Sequence, residues 1–438
     1  METEDLFSGM TVQGQSRRLV CVGDTDSRLK WCRVVADFFR PHGFDCEFIL
    51  YESGANPTPE QLAHEGIVSF RRMGDLAGIA RAIWEASPEV VLLGLGGISY
   101  RVFQLHLFDE IEVRKATSRP ILVCGFPGVL YENRVSGFLD RMGCDIICVN
   151  SAEDQVFARN LFERFGIVED PFVVTGLYML EGQPAPIPLQ PRAPNTGRVV
   201  TFATQPSVPA LYRERAYIMA RLVDYAREHP EDTVLIKSRA PLSGRATHRE
   251  KVRYEHIRPP GAARLPQNMR FTYGRMEPVL DQTDILVAVS STAAMQALYA
   301  GRYVVILADF GVKQRYGSHF FPDFSVKQHY GSQYFLDSGL MAAIDVLWSN
   351  NLPLPSPAWL DRTGLTHGCK LATLVDRVES LLAQQAVQQR PLEPARKISV
   401  GEPFGAFERW FASIRGPYRA SRYRLGELGY FVRRILER

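Results

Sequence analysis

The sequence predicts an α/β protein of two domains, each a parallel sheet covered by helices, with a ligand cleft between them. Three observations carry that expectation. Short apolar runs alternate with helix-periodic segments in both halves of the chain, as when parallel strands are joined by crossover helices. A stretch holding Pro184, Pro186, Pro188, Pro191 and Pro194 separates the halves and reads as a semi-rigid linker. The run from Asp284 to Gly301 reads as a strand, a Ser290-Ser291-Thr292 turn and a helix closed by glycine, with a further apolar run from Tyr303 to Ala308.

In the first half, Arg18 to Gly23 is a strand, and Ser27 to Arg40 is a helix with Trp31, Val34, Val35 and Phe38 on one side. Phe44 to Tyr51 is a second strand, Asp75 to Ala86 a helix, and Val90 to Leu95 a buried strand leading into Gly96 and Gly97. Arg119 to Gly125 and Asp145 to Asn150 are strands flanking a helix at Asn133 to Arg141. Ala152 to Phe165 is helical, and Phe172 to Thr175 is a short last strand. The second half restarts with a strand at Arg198 to Ala203, a helix at Ala210 to Glu228 and a strand at Thr233 to Lys237. Arg270 to Tyr273, Ile285 to Val289 and Val304 to Leu307 follow as strands. The resulting division is a first domain over 16–181, a linker over 182–197, a second domain over 198–350 and a helical extension over 351–438.

Bulk properties narrow the function classes. A chain of 438 residues exceeds one ordinary core. A net charge of +3 gives no electrostatic footprint for nucleic acid. The seven cysteines form no CxxC pair and several lie in apolar runs, which reads as buried thiols in a reducing cytoplasm. The amino-terminal residues Met1 to Gln15 are polar, unlike a signal peptide, and no stretch reaches transmembrane length. Phe404 to Arg438 differs, with eight arginines against three glutamates, interleaved with aromatic residues including Trp410, Phe411, Tyr418, Tyr423, Tyr430 and Phe431. It reads either as a peripheral contact with an anionic membrane surface or as a helix packed on the first domain. Lys313 to Asp323 echoes Lys327 to Asp337, a single duplication rather than a repeat array.

The Ser-Ser-Thr turn has two readings. Backbone N–H groups and the hydroxyls of Ser290, Ser291 and Thr292 suit a phosphate, and a serine there equally suits a helix cap. Further short motifs stand at Asp24 to Trp31, Gly125 to Gly128, Thr204 to Pro206, Lys237 to Arg239, Thr247 to Glu250, Gly274 to Met276 and Asp309 to Gly311. In this order, with the two α/β halves and the linker, the chain resembles a GT-B glycosyltransferase. More narrowly, it is similar to a bacterial glycosyltransferase family allied to the sialyl-, polysialyl- and Kdo-transferases.

The resemblance implies two Rossmann-like domains facing across a cleft, with transfer of a sugar from a nucleotide donor to a saccharide or lipid-linked saccharide acceptor during surface-polysaccharide assembly. It points to a CMP-activated acidic sugar, with neither bound cofactor nor metal, the nucleotide-sugar being a co-substrate. The donor side would use Gly274, Met276, Ser290, Ser291 and Thr292, with Gln296 where many relatives bind ribose through Glu. Lys237 and Arg239, two apart after a strand, would both face the cleft and offset charge on the departing nucleotide. Asp26 would be the base for the acceptor hydroxyl with Asp24 beside it, unless Asp26 only starts the following helix. His248, near Glu250, is a further candidate base or donor-binding residue. Gly96, Gly97, Gly125 and Gly128 would let the acceptor approach the backbone closely. A UDP- or GDP-sugar transferase, a UDP-sugar epimerase and a non-catalytic glycan-binding module are the alternatives left open.

Overall fold

The computed structural model describes residues 17–391 other than 54–55, 131–133, 165, 182–196, 207, 210, 239–251, 258–263, 311–331, 350, 367 and 389–390. Arg239, His248, nearly all of the proline-rich stretch, the first copy of the duplication and the basic tail thus lie outside the described residues.

The first sheet contains β1 (Arg17–Gly23), β2 (Phe44–Tyr51), β3 (Arg71–Met73), β4 (Val90–Gly94), β5 (Ile121–Cys124), β6 (Ile146–Val149) and β7 (Phe172–Val174). Its order is β3-β2-β1-β4-β5-β6-β7, and the pairings are parallel. The second contains β8 (Val199–Ala203), β9 (Thr233–Lys237), β10 (Met269–Thr272), β11 (Ile285–Ala288), β12 (Tyr303–Leu307) and β13 (Met341–Ala342). Its order is β10-β9-β8-β11-β12-β13, again parallel. These are the two Rossmann-like sheets of a GT-B fold. In each sheet the order turns back at one place, between β1 and β4 and between β8 and β11. Such switch points leave a crevice at the carboxyl ends of the strands.

Helices cover both faces of each sheet, so successive strand residues feed different cores. Val20, Val22, Val91 and Leu93 join one cluster, while Leu19, Cys21, Val90 and Leu92 join the opposite one. In the second sheet, Val200, Phe202, Ile285 and Val287 face one way, and Leu286, Ala288, Val304 and Ile306 the other. This two-sided burial is why the strands read as continuous apolar runs.

The chain after the second sheet returns to the first. Helix α11 (Ala372–Gln388) sets Leu374, Val375, Val378 and Leu381 into the same cluster as Leu19 and Cys21. Its Gln385 exchanges two hydrogen bonds with the Arg119 backbone at 2.9 and 3.2 Å. A 3-10 turn at Tyr178–Leu180 bridges the domains, with Tyr178 in the core of the first and Leu180 in that of the second. All seven cysteines are free, and Cys21, Cys32, Cys124, Cys144 and Cys148 are buried. No helix among the described residues is long and apolar enough to cross a membrane.

Candidate functional site

The second-domain crevice is closed by an amide. Gln205 follows β8 and reaches the turn after β11. Its Oε1 accepts from the Ser290 N–H at 2.8 Å, and its Nε2 donates to Ser290 Oγ at 3.1 Å. Ser290 is buried and helps fix the turn. Ser291 Oγ accepts from the Ala293 N–H at 3.2 Å, the capping role, at the start of α9 (Ala293–Tyr299). Thr292 is half-buried and makes no side-chain cap bond. Gln205 lies in the Thr204 to Pro206 motif, and an amide directly after a second-domain strand is the only sequence signal for this role.

Lys237 ties two strand ends together. It is 5% exposed, and its Nζ donates to Ser238 O at 2.9 Å and Gly274 O at 2.7 Å. The ammonium folds onto the carbonyls at the carboxyl ends of β9 and β10. It ties those ends together, and Gly274 takes the left-handed φ of +87° in the turn it holds. Met276 precedes α8 (Glu277–Gln282) and packs partly against the second-domain core.

The first-domain crevice is built differently. Helix α1 (Asp26–Phe39) starts directly after β1 and lies against the ends of β4 and β5. Asp24 is 4% exposed and both its carboxylate oxygens accept from Arg28 Nη1, at 2.7 and 2.9 Å. The Arg28 guanidinium lies on Gly96, where an added Cβ would come within 2.5 Å of Nη1 and 2.8 Å of Nη2. At Gly125 a Cβ would come within 2.5 Å of the Trp31 ring. At Gly96 and Gly125, where the sequence predicts close approach by the acceptor, α1 side chains occupy the space that a Cβ would take, a flexible guanidinium end at Gly96 and the Trp31 ring at Gly125. Gly97 differs: it is exposed and takes a left-handed φ of +47°. Asp26 Oδ1 accepts from the Ser27 N–H at 2.8 Å, the helix-starting role, and the residue stays half-buried at the crevice rim. Arg28 lies in the Asp24 to Trp31 motif, and its i,i+4 spacing from Asp24 is the sequence signal for the pair.

The two crevices meet. A Cβ on Gly128 would lie 3.5 Å from Thr292 Cγ2, and the Gly128 carbonyl accepts from Asn150 Nδ2 at 2.8 Å. The Gly125 to Gly128 loop thus faces the Ser-Ser-Thr turn. One turn along α9, Gln296 lines a groove of about 580 Å³ with Lys30, Arg275, Glu277 and Tyr299. Lys30 of α1 bridges Glu65 at 3.0 Å and, across the domains, Glu277 at 3.6 Å. Burial raises the Glu277 pKa, but a hydrogen bond from its own backbone N–H, the Lys30 charge and the Arg275 guanidinium together outweigh it and hold the carboxyl below its usual range. Among the described residues, His229, Glu231 and Asp232 could share a metal ion, but they precede β9 at the opposite end of the sheet from the turn.

Comparisons with known proteins agree with this architecture. The structure is similar to the MnaA–UDP co-structure from S. aureus, with a TM-score of 0.51 and 9% identity over 84% of this chain and 97% of that one. It is also similar to UDP-GlcNAc 2-epimerase from Neisseria meningitidis bound to UDP-GlcNAc, with a TM-score of 0.48 and 10% identity over 85% of this chain and 100% of that one. MurG from Acinetobacter baumannii follows with a TM-score of 0.42 and 12% identity over 85% of this chain and 94% of that one. At such identities the first likeness shows the GT-B fold, and none of the three supports the expected kinship with sialyl- or Kdo-transferases. No curated protein matches the sequence. Residues 19–323 match the family described as "Putative glycosyltransferase (DUF6716)". With most of the chain inside that match, both facing crevices included, the protein belongs to the DUF6716 family.

Proposed function

We propose that the protein transfers a sugar from a pyrimidine-nucleotide donor, seated at the second-domain crevice, to a saccharide acceptor at the first. The observation that carries this reading is the approach of the two sheets' carboxyl-end loops, with Gly128 after β5 against Thr292 after β11. Family membership supplies the reaction class. Two lines support a pyrimidine: the motif resemblance leads to CMP-sugars, and the fold relative MnaA was solved with UDP. The UDP-sugar reading stands level with the CMP-sugar one.

In this reading the acceptor hydroxyl oxygen attacks the anomeric carbon and the bond from that carbon to the nucleotide phosphate oxygen breaks. The departing oxygen keeps the electron pair. The turn held by Gln205 presents the Thr292 hydroxyl and backbone to it, stabilising charge as it forms. Asp26, at the rim of the opposite crevice, takes the acceptor proton. Lys237 acts indirectly, by holding the Gly274 loop.

Thermal-shift titration with UDP, CMP, GDP and ADP tests the donor assignment, since a ligand that binds only the folded state raises its apparent stability. UDP or CMP should raise Tm and the purines should not. Stabilisation by GDP or ADP alone, or by none of the four, counts against the reading. Asp26→Asn should then abolish transfer while leaving nucleotide affinity unchanged.

A further inference from the structure

We infer that Arg28 selects an anionic substrate, its guanidinium being a preformed seat for a carboxylate or phosphate group at the first-domain crevice. The inference rests on the reading of that crevice as the acceptor side.

Four observations converge on this side chain. It sits at the switch point, between the end of β1, which carries Asp24, and the end of β4, which leads to Gly96. Asp24 is buried with 6% of its side chain exposed, whereas 31% of the Arg28 side chain is exposed. The acid is therefore the anchor and the guanidinium the presented group. One nitrogen, Nη1, serves both Asp24 oxygens. A guanidinium carries five N–H donors in a planar fork, and those on Nε and Nη2 have no partner among the described residues. Finally, Gly96 leaves room for the flat group, so its orientation is set before any ligand arrives.

That combination suits oxyanion recognition more than fold stability. A pair with a buried acid gives little net stability over an apolar replacement, although the acid needs a cation once it is there, and a lysine would satisfy Asp24 as a point charge. Arginine adds a fork that matches the two oxygens of a carboxylate or phosphate. Asp24 neutralises the net charge of the pair, so the seat discriminates by geometry and hydrogen bonding as well as by charge. Nearby Asp26 lies in the first turn of α1, where the positive helix end offsets its charge. The oxyanion comes either from an acidic acceptor or from the donor, whose sugar or phosphates cross from the facing turn.

The test uses full-length protein saturated with UDP, titrated with glucuronate, glucose 6-phosphate and glucose by calorimetry. At least one anionic sugar should bind tenfold or more tightly than glucose. Arg28→Ala should remove that preference and leave UDP affinity unchanged. Gly96→Ala, which keeps the arginine but fills its seat, should reproduce the loss, and Arg28→Lys should restore only part of it. Circular dichroism and unchanged UDP binding show that each variant is folded. If Arg28→Ala instead weakens UDP tenfold and leaves the sugars alone, the oxyanion belongs to the donor. Equal binding of the three sugars, or a preference that survives Arg28→Ala with UDP affinity intact, overturns the inference. Failure of the donor assignment is separate: UDP and CMP would not bind wild type, while the anion preference would persist.

Discussion

The strand order turns back between β1 and β4 in one domain and between β8 and β11 in the other, yet the two crevices are furnished with different chemistry. In the first, helix α1 presses Trp31 and Arg28 into spaces left by Gly125 and Gly96, and a buried carboxylate anchors the Arg28 guanidinium. In the second, a neutral amide from Gln205 pins Ser290, and the lysine that might have supplied charge is turned onto carbonyls. Packing shapes one wall and hydrogen bonding shapes the other. The charged fork and the candidate base therefore lie on one side of the cleft and the hydroxyl-lined turn on the other, a division that suits an acceptor and a donor.

The contrast breaks most easily at Trp31. It is 3% exposed and fills the space beside Gly125, so Trp31→Ala should cost about 3–5 kcal/mol of stability in urea denaturation. A loss under 1 kcal/mol would mean that packing does not shape the first wall. Gln205→Ala leaves the buried Ser290 N–H without its amide partner and should cost about 1–3 kcal/mol. It should also weaken nucleotide binding, while affinity for acceptor-like sugars stays constant. Lys237→Met sharpens the comparison further. A structural tie predicts a stability loss of the same order; lost turnover at full stability would return Lys237 to the donor's phosphates. The smallest effect belongs to the bridge between the walls. Lys30 and Glu277 are partly exposed, so Lys30→Ala should change stability by about 1 kcal/mol or less. Glu277 has a lowered pKa in the folded protein, so its contribution is present above the ordinary carboxylate pKa and fades as pH falls through the lowered value. Wild type should lose more Tm than Lys30→Ala across that acidic window, and parallel Tm curves would show the bridge to be idle.

Strands with unbroken apolar runs were legible, and β9 has the bounds the sequence predicts; β2 does too, although exposed Asp45 and Glu47 interrupt its first half, because the apolar run Phe48 to Tyr51 completes it. Helix α4 (Ile98–Arg114) escaped, because buried Arg101 and Gln104 interrupt the apolar stripe that marks a helix. The strand β3 escaped because Arg71-Arg72-Met73 is an edge strand with no apolar alternation. At the site, Ser290, Thr292 and Gly128 were legible as neighbours of a cleft, since each follows a strand. The causes of Gly96 and Gly125 were not, because a glycine's sequence neighbours do not reveal which distant side chain occupies its empty space. Lys237 shows the limit of alternation: parity gives the face of a strand, not where a flexible side chain ends.

The central claim is that the Ser-Ser-Thr turn holds the donor nucleotide. Calorimetric titration of UDP and CMP into wild type and into the Ser290→Ala, Ser291→Ala double variant tests it most directly. The nucleotide bound by wild type should bind the double variant about 1–3 kcal/mol more weakly. Equal affinity in wild type and the double variant would contradict it.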